Sequence, residues 1–271
     1  MPPLPARYFS EEFDDYQLEG RVLPAARQEA ELPQLLAIHG TRSDYTKLNA
    51  ILYPLQTLGI ASLSFNLSGH NPASGIGLGD TSLRNNMQEA LRYSSRLGTK
   101  LHAVLGHSLG AALALKIAEV HRANVKKIVL FCPALYSEDA YYRRFGNSFK
   151  EIISIPFGFL DSQSLTFLRE FDGDLMLIIG QYDALKSTDF GGIAGKSVGM
   201  VSVQNNQSKE RIINSAIPFE VIDAIEKSTA PHRLRKIVLP DWDHAVSAWL
   251  RANPVRAQWV ASEVAEFLSM P

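Results

Sequence analysis

Residues 101–115 read LHAVLGHSLGAALAL, a pattern that predicts a strand, a tight turn and a helix in direct succession. The apolar run before the turn is typical of a buried strand, and the alanine- and leucine-rich run after it favours a helix. Ser108 lies at the bend, with Gly106 and Gly110 two residues away on either side. A larger side chain at either glycine would collide as the backbone reverses. The sequence therefore predicts a serine whose hydroxyl is pushed out at the end of a sheet.

The same turn predicts a hydrogen-bond donor beside this serine. The Leu109 N–H lies at the start of the predicted helix, where the first amides lack partners within the helix and the helix dipole is positive. Such a donor stabilises negative charge that develops on an oxygen atom. Ser108 and Leu109 together therefore favour nucleophilic chemistry over a purely structural turn.

Length and charge bound the class of protein. The 271 residues fit one α/β domain, which we expect to span residues 1–271. The chain carries 27 Lys and Arg against 28 Asp and Glu, a formal net charge of −1. This balance argues against nucleic acid and against an anionic membrane surface as partners. We therefore expect a small-molecule partner.

The single cysteine and the lack of long apolar runs bear on the compartment. Cys132 ends the apolar run 128–131, so we expect a buried structural thiol and no internal disulfide. Residues 1–7 lack the apolar core of a secretory signal, and no stretch approaches about 18 uninterrupted apolar residues. The expectation is a cytoplasmic protein without a membrane span.

Short apolar runs alternate with helical patterns along the chain. Such runs are typical of parallel strands that are covered by helices on both faces, so we predict an α/β fold with a mostly parallel sheet. The predicted strands are Gln34–Ile38, Ala61–Phe65, Leu101–Leu105, Lys127–Phe131, Leu175–Ile179 and Arg235–Leu239. The predicted helices are Asp44–Leu58, Asp80–Leu97, Leu109–Val120 and a closing helix at Ala257–Leu268. Tyr16–Leu23 is expected in an edge hairpin, and Asp44 and Asp80 are the expected N-caps.

Two stretches interrupt this alternation, and both follow strands on the side of the sheet where α/β proteins bind ligands. Residues 134–171 are rich in Tyr and Phe, and residues 185–218 show few strong periodicities. We interpret the first as a lid or cap insertion and the second as a variable loop insertion. Ordinary helix packing is an equally good explanation of the aromatic residues in the first.

A serine nucleophile needs a base that takes its proton and an acid that orients that base. His244 follows the last predicted strand and is the expected base. Asp183 lies three residues beyond the glycine that ends the strand 175–179, and it is the expected acid. Asp189, Asp139 and Asp243 remain alternatives, although Asp243 is an immediate neighbour of His244 and would orient its ring poorly.

The second oxyanion donor is expected from the loop after the first parallel strand, where His39-Gly40-Thr41 ends the apolar run. We assign the Thr41 N–H as the partner of the Leu109 N–H. Gly40 permits close approach of the backbone, and His39 is expected to brace the loop. The expected wall of the substrate pocket consists of His39, Gly40, His70 and His107.

With nucleophile, acid and histidine in the order Ser108, Asp183, His244, the chain resembles the α/β-hydrolase superfamily of serine hydrolases from Gln34 to its C-terminus. Gly69-His70, just after the strand 61–65, is similar to the Gly-His pair of the lysophospholipase, monoacylglycerol lipase and serine-aminopeptidase-like branch. The resemblance implies hydrolysis through an acyl-serine.

Neither a metal nor a cofactor is expected. Residues 191–197 suggest a phosphate-binding loop, but the spacing from Gly191 to the Gly-Lys pair is one residue short. Asp241, Asp243 and His244 lack a second cluster of metal ligands.

The expected activity is therefore hydrolysis of a small-molecule carboxylic ester or thioester. Acyl transfer or peptide cleavage with the same residues is an alternative, because fold and triad do not separate these reactions. A ligand-binding or scaffold protein without turnover is a third hypothesis.

Overall fold

The computed structural model describes residues 4–25, 32–185, 198–203 and 209–270. Apolar side chains alternate between two faces along most strands, so each strand supplies two separate layers of the core. The strands are β1 Arg7–Phe13, β2 Tyr16–Leu23, β3 Leu35–Ile38, β4 Ser62–Phe65, β5 Ala103–His107, β6 Lys127–Phe131, β7 Asp174–Gly180, β8 Val198–Val203, β9 Lys209–Asn214 and β10 Leu234–Leu239.

Eight of these strands form one sheet in the order β1-β2-β4-β3-β5-β6-β7-β10. β1 pairs antiparallel with β2, β2 pairs antiparallel with β4, and the remaining pairs are parallel. β8 and β9 form a separate antiparallel pair. The predicted α/β class with a mostly parallel sheet is confirmed.

The six strands predicted from apolar runs all occur, within one or two residues at each end. The hairpin at Tyr16–Leu23 also occurs, and its partner is β1. The apolar-run criterion missed β1 because this edge strand alternates half-buried and exposed residues.

The four predicted helices occur, with limits within five residues of those predicted, and five further helices in the described part of the chain lie between the third and the closing one. The helices are α1 Asn49–Thr57, α2 Leu83–Ser95, α3 Leu109–Val120, α4 Glu138–Tyr141, α5 Asn147–Ile153, α6 Gln163–Glu170, α7 Phe219–Ser228, α8 Val246–Ala252 and α9 Pro254–Ser269. Asp44 caps a short 3₁₀ turn before α1 by accepting a hydrogen bond from the Thr46 N–H. The predicted cap at Asp80 is wrong, because Asp80 ends a 3₁₀ turn and Ser82 caps α2 by accepting from the Asn85 N–H.

Two hydrophobic layers enclose the sheet. The helices α2, α3, α6 and α7 pack on one face, and α1, α8 and α9 pack on the other. Since the parallel strands run in one direction, the loops after β3, β5, β7 and β10 meet at one edge of the sheet.

The two insertions differ in how far they can be described. The stretch 134–171 contains α4, α5 and α6 and adds buried aromatic side chains to one layer. Of 185–218, residues 186–197 and 204–208 lie outside the described residues, and these include Asp189 and the loop 191–197. The roles of the two insertions, as a lid and as a variable loop, remain predictions. None of the helices in the described ranges has the length and apolarity that a bilayer crossing requires.

Candidate active site

Ser108 lies in a strained turn between β5 and α3. Its backbone has φ 55° and ψ −117°, a region that residues other than glycine rarely adopt. A Cβ at Gly106 would lie 2.3 Å from the Gly110 carbonyl oxygen, and one at Gly110 would lie 2.3 Å from the Ile38 carbonyl oxygen. The sharp bend therefore depends on both glycines, as the sequence indicates.

Backbone hydrogen bonds hold this turn in place. The Ser108 N–H donates to the Phe131 carbonyl over 3.0 Å. The Ser108 carbonyl accepts from the Ala111 N–H at 3.0 Å and from the Ala134 N–H at 3.2 Å. The start of the aromatic-rich insertion is thus bonded directly to the turn that carries the serine.

The loops after β7 and β10 bring a carboxylate and an imidazole to the serine. His244 Nε2 lies 2.9 Å from Ser108 Oγ, and His244 Nδ1 lies 2.8 Å from Asp183 Oδ2. The side chains of Asp183 and His244 are 1% and 12% exposed. Three residues from three strand ends therefore form one continuous chain of hydrogen bonds, in the order that the sequence predicts.

The surroundings of Asp183 keep it ionised. Burial by itself raises the pKa of this carboxyl. The hydrogen bond and charge of His244, together with the Ile217 N–H, lower it by more, so the pKa lies below its usual value. The Ile217 N–H donates to Oδ1 at 3.2 Å, which leaves Oδ2 facing the imidazole. When Nδ1–H donates a hydrogen bond to the carboxylate, Nε2 carries no proton and can accept a hydrogen bond from the serine hydroxyl.

Cys132 lies behind this pair and is fully buried, as predicted. Its sulfur lies within 4.8 Å of ligand atoms of Asp183 and His244, the closest approach to a metal-binding set among the described residues. Burial raises the pKa of the thiol well above its usual value, with the negative charge of Asp183 adding to the effect. A thiol that stays protonated, beside a carboxylate already bonded to an imidazole, suits hydrogen bonding better than metal ligation.

Residues 39–42, here called the oxyanion loop, lie against the serine. A Cβ at Gly40 would lie 3.2 Å from Ser108 Cβ and 3.0 Å from His107 Nδ1. The glycine thus allows the close approach that the sequence predicts. Assignment of the Thr41 and Leu109 amides as oxyanion donors stays a prediction.

His39 braces the oxyanion loop from inside. Its Nδ1 donates to the Gly40 carbonyl at 2.7 Å, and its Nε2 accepts from the Leu67 N–H at 3.1 Å. Burial lowers its pKa to about 4, so the ring is neutral at physiological pH. Both nitrogens are used within the protein, which favours the bracing role over direct contact with a substrate.

His70 and His107 flank the same region. His70 Nδ1 accepts from the Arg42 N–H at 3.2 Å, and His107 Nε2 lies 3.3 Å from the His244 carbonyl oxygen. Burial lowers the pKa of each to about 4. Both rings are therefore neutral at neutral pH, and His107, whose ring centroid lies 5.5 Å from that of His244, adds no positive charge beside it. Their assignment to substrate binding remains a prediction.

These three buried histidines predict how stability changes with pH. The unfolded chain protonates them near pH 6.5, whereas the folded protein does so only near pH 4. Unfolding therefore takes up protons between these values, and the free energy of unfolding falls as the pH is lowered. Together the three histidines contribute a slope of up to roughly 4 kcal/mol per pH unit, which the raised pKa of the buried Glu89 carboxyl offsets in part. Urea denaturation between pH 6.5 and 5 measures it, and a flat profile would contradict neutral burial.

Asp243, an alternative acid on sequence grounds, is a positioning residue in the structure. Its Oδ2 accepts from the Asn214 N–H at 2.9 Å, and its Oδ1 accepts from the Ala245 N–H and from Trp249 Nε1. The Asn214 carbonyl in turn accepts from the His244 N–H at 2.8 Å. Asp243 therefore fixes the loop that carries His244, while Asp183 contacts the imidazole itself.

Replacing Asp243 is expected to disturb this loop. Asp243→Asn places an NH₂ group against one of the N–H donors, so we expect the free energy of unfolding to fall by about 2 kcal/mol. Activity falls too, because His244 moves with its backbone. Trp249→Phe removes a single donor and should have a smaller effect on both. Equal melting temperature and activity for Asp243→Asn and wild type would contradict a clamp formed by Asp243 and its three donors.

Of the other proposed acids, one is exposed and one cannot be placed. Asp139 is exposed on α4, and Asp189 lies outside the described residues. The role of the Ile217 amide is not predictable from residue types, because a backbone donor in an irregular segment has no residue signature. A carboxylate followed six residues later by Trp249 is the only signal for the clamp, and it is weak.

Comparison with known proteins supports the resemblance that the residues indicate. A family model described as serine aminopeptidase, S33, matches residues 31–158, which is 128 of the 271 residues. Solved structures match over nearly the whole chain, at 15–16% identity in the three cases below. The chain has the α/β-hydrolase fold. No protein with a curated description matches it by sequence.

Three α/β-hydrolase structures illustrate the match. Est1E from Butyrivibrio proteoclasticus, solved with ferulic acid, is 15% identical, with 94% of this chain and 98% of that chain covered and a TM-score of 0.61. The thioesterase domain from the curacin biosynthetic pathway is 16% identical, with 94% and 99% covered and a TM-score of 0.60. A putative hydrolase from Agrobacterium vitis S4 is 16% identical, with 98% and 100% covered and a TM-score of 0.62.

Proposed function

We propose that this protein is a serine hydrolase that cleaves a carboxylic ester or thioester of a small molecule through an acyl-serine intermediate. The observation that carries the proposal is the unbroken hydrogen-bond chain from Ser108 through His244 to Asp183 at a strained turn. Strain at a buried serine persists only where the surrounding structure enforces it, and such positions cluster at functional sites. A structural serine needs no such chain.

In the first half-reaction, His244 Nε2 removes the Ser108 hydroxyl proton while Oγ adds to the substrate carbonyl carbon. The carbonyl oxygen becomes an oxyanion, which the Thr41 and Leu109 amides stabilise. His244 then gives its proton to the leaving alcohol or thiol as the bond to the carbonyl carbon breaks. Asp183 stabilises the imidazolium that exists between these two proton transfers.

In the second half-reaction, water replaces the leaving group. His244 removes a proton from water as its oxygen adds to the acyl carbon, and the same amides hold the second oxyanion. When this intermediate collapses, His244 returns the proton to Ser108 Oγ and the carboxylic acid is released. Each half-reaction ends with His244 neutral, so the enzyme is regenerated.

The surroundings of the oxyanion loop favour an apolar group on the substrate. The Phe145 ring lies 5.0 Å from the His70 ring and 4.9 Å from that of Phe149, and Tyr136 lies 5.5 Å from Phe149. These aromatic residues belong to the insertion that is bonded to the Ser108 carbonyl. Apolar and aromatic walls with a few polar groups are typical of small-molecule sites.

The match to the serine-aminopeptidase model keeps peptide cleavage as a second candidate. Acyl transfer uses the same residues, with another acceptor in place of water. The three reactions are separated by comparing p-nitrophenyl esters, acyl thioesters and aminoacyl p-nitroanilides of matched acyl length, with and without an added alcohol acceptor. We expect the esters or thioesters to give the higher kcat/KM and hydrolysis to exceed transfer.

Labelling of the native protein by a fluorophosphonate probe tests the mechanism. We expect one equivalent of label on Ser108, identified by peptide mass spectrometry, and none after heat denaturation. A folded protein that is neither labelled nor active on any of these substrates would overturn this proposal and favour the hypothesis of a scaffold without turnover.

A further inference from the structure

A buried chain of polar side chains leads away from the oxyanion loop and ends at the edge hairpin. It runs from His70 to Asn86 and Glu89 on α2, and then to Tyr16 on β2. Asn86, Glu89 and His70 are 0%, 1% and 5% exposed. Buried polar groups of this kind are expensive unless each one is fully paired, so their arrangement is strongly specified.

The hydrogen bond between Arg42 and His70 fixes which ring nitrogen of His70 carries the proton. The Arg42 N–H donates to Nδ1 at 3.2 Å, so Nδ1 must be an acceptor. The ring proton is then on Nε2, which donates to Asn86 Oδ1 at 2.9 Å. A doubly protonated ring would set one N–H against another, and burial, which lowers the pKa of His70 to about 4, disfavours that form.

The orientation of Asn86 is fixed in turn by Glu89. Asn86 Nδ2 donates to Glu89 Oε2 at 3.1 Å and to the Ser68 carbonyl at 3.2 Å. A flipped amide would direct its oxygen at the carboxylate, so only one orientation is favourable. Glu89 is itself held by the Ser68 N–H at 3.0 Å and by the Tyr16 hydroxyl at 2.7 Å.

We infer that Asn86 and Glu89 are positioning residues for the oxyanion loop and act on it through the neutral imidazole of His70. Glu89 sets the orientation of Asn86, Asn86 sets the tautomer of His70, and His70 accepts the Arg42 N–H. Arg42 adopts a left-handed conformation with φ 49° immediately after Thr41. The hydrogen bond from the Arg42 N–H to His70 Nδ1 therefore fixes the peptide plane that follows Thr41, the proposed oxyanion donor. This inference rests on the proposed function, because the loop matters only if an oxyanion forms.

The test compares His70→Ala, His70→Asn and Asn86→Asp with p-nitrophenyl acetate as the probe substrate. His70→Ala removes the acceptor for the loop, and we expect kcat to fall about a hundredfold while KM changes little. In His70→Asn, the amide oxygen replaces Nδ1 and cannot be protonated. We expect it to recover most of the rate, to within about tenfold of wild type.

Asn86→Asp keeps the shape of the side chain but sets a carboxylate oxygen against Glu89 Oε2, to which Asn86 Nδ2 donates at 3.1 Å in the wild type. The added negative charge favours protonation of this cluster, and a second proton on His70 sets Nδ1–H against the Arg42 N–H. We therefore expect a loss of kcat similar to that of His70→Ala. In the His70→Asn background there is no imidazole to protonate, and adding Asn86→Asp should lower kcat no further. A purely structural role would instead give additive losses in the double variant.

Two further measurements separate positioning from misfolding. The Ki of an alkyl trifluoromethyl ketone, whose adduct with Ser108 carries an oxyanion, should rise in parallel with the fall in kcat. His121→Ala is the matched control, since His121 also bonds a neighbouring helix, through Ser94 at 2.9 Å. It lies at the other end of α3, roughly 20 Å from Ser108 at 1.5 Å per residue, and should leave kcat and Ki unchanged.

The outcomes distinguish this inference from the proposed function. Wild type that turns over the ester, together with folded His70→Ala and Asn86→Asp variants of wild-type kcat and Ki, overturns the inference alone. Additive losses in the double variant, or losses in kcat that follow melting temperature without a change in Ki, also overturn it. If His70→Ala does not fold, His70→Asn and the double variant still decide. Wild type without turnover or label overturns both.

Discussion

Ser108→Ala is expected to lower kcat for an ester substrate by about a millionfold, to a rate near the uncatalysed background. Alanine has no oxygen to attack the carbonyl, and the imidazole of His244, 2.9 Å from Oγ in the wild type, loses the hydroxyl that it activates. Steady-state kinetics on p-nitrophenyl acetate measures the effect. Fluorophosphonate labelling should disappear in the same variant.

The matched control is Ser62→Ala. Ser62 is a fully buried serine on β4, and its hydroxyl has no hydrogen-bond partner within the part of the chain that the structure describes. It should therefore keep both activity and labelling. Turnover by Ser108→Ala at more than a small fraction of the wild-type rate would show that another group attacks the substrate.

Asp183→Asn is expected to lower kcat by about ten-thousandfold, with little change in KM. The Ile217 N–H donates to Oδ1, so in the variant the amide oxygen stays on that side and the NH₂ group faces His244. It would then donate to Nδ1, and the ring proton would move to Nε2. An imidazole with its proton on Nε2 cannot take a proton from Ser108, although the geometry is unchanged.

Asp139→Asn serves as the control for this prediction. Asp139 is exposed on α4 and was an alternative acid on sequence grounds alone, and its replacement should leave kcat unchanged. The tautomer in Asp183→Asn can be read from the ¹⁵N chemical shifts of His244. Full activity in that variant, or a proton that stays on Nδ1, would contradict the assignment of Asp183.

Much of the fold and the candidate triad is predictable because each depends on local patterns. The glycines that flank Ser108 predict the turn, and their close backbone contacts explain why a residue with a side chain would not fit at either position. Asp183 and His244 each follow a near-continuous apolar strand, and parallel strands place such loops at one edge. Chain order and topology were enough to bring these three residues together.

The parts that were missed depend on contacts between distant segments. The three donors to Asp243 come from two backbone amides and an indole, and nothing in the residue pattern indicates that Asn214 would lie there. Ser82, and not Asp80, caps α2 because a 3₁₀ turn intervenes, and short turns of this kind leave little trace in composition. β1 lacks an apolar run because it lies at the open edge of the sheet.

The contact at Gly110 has a consequence for the rigidity of the site. A Cβ there would meet the carbonyl oxygens of Ile38 and His39 at 2.3 and 2.4 Å, so α3 rests on the end of β3 with main chain against main chain. No side chain lies between these two backbone segments, one of which follows Ser108 while the other leads to Thr41. Side-chain rotamers elsewhere therefore have little leverage on their separation, which is set by the path of the backbone itself.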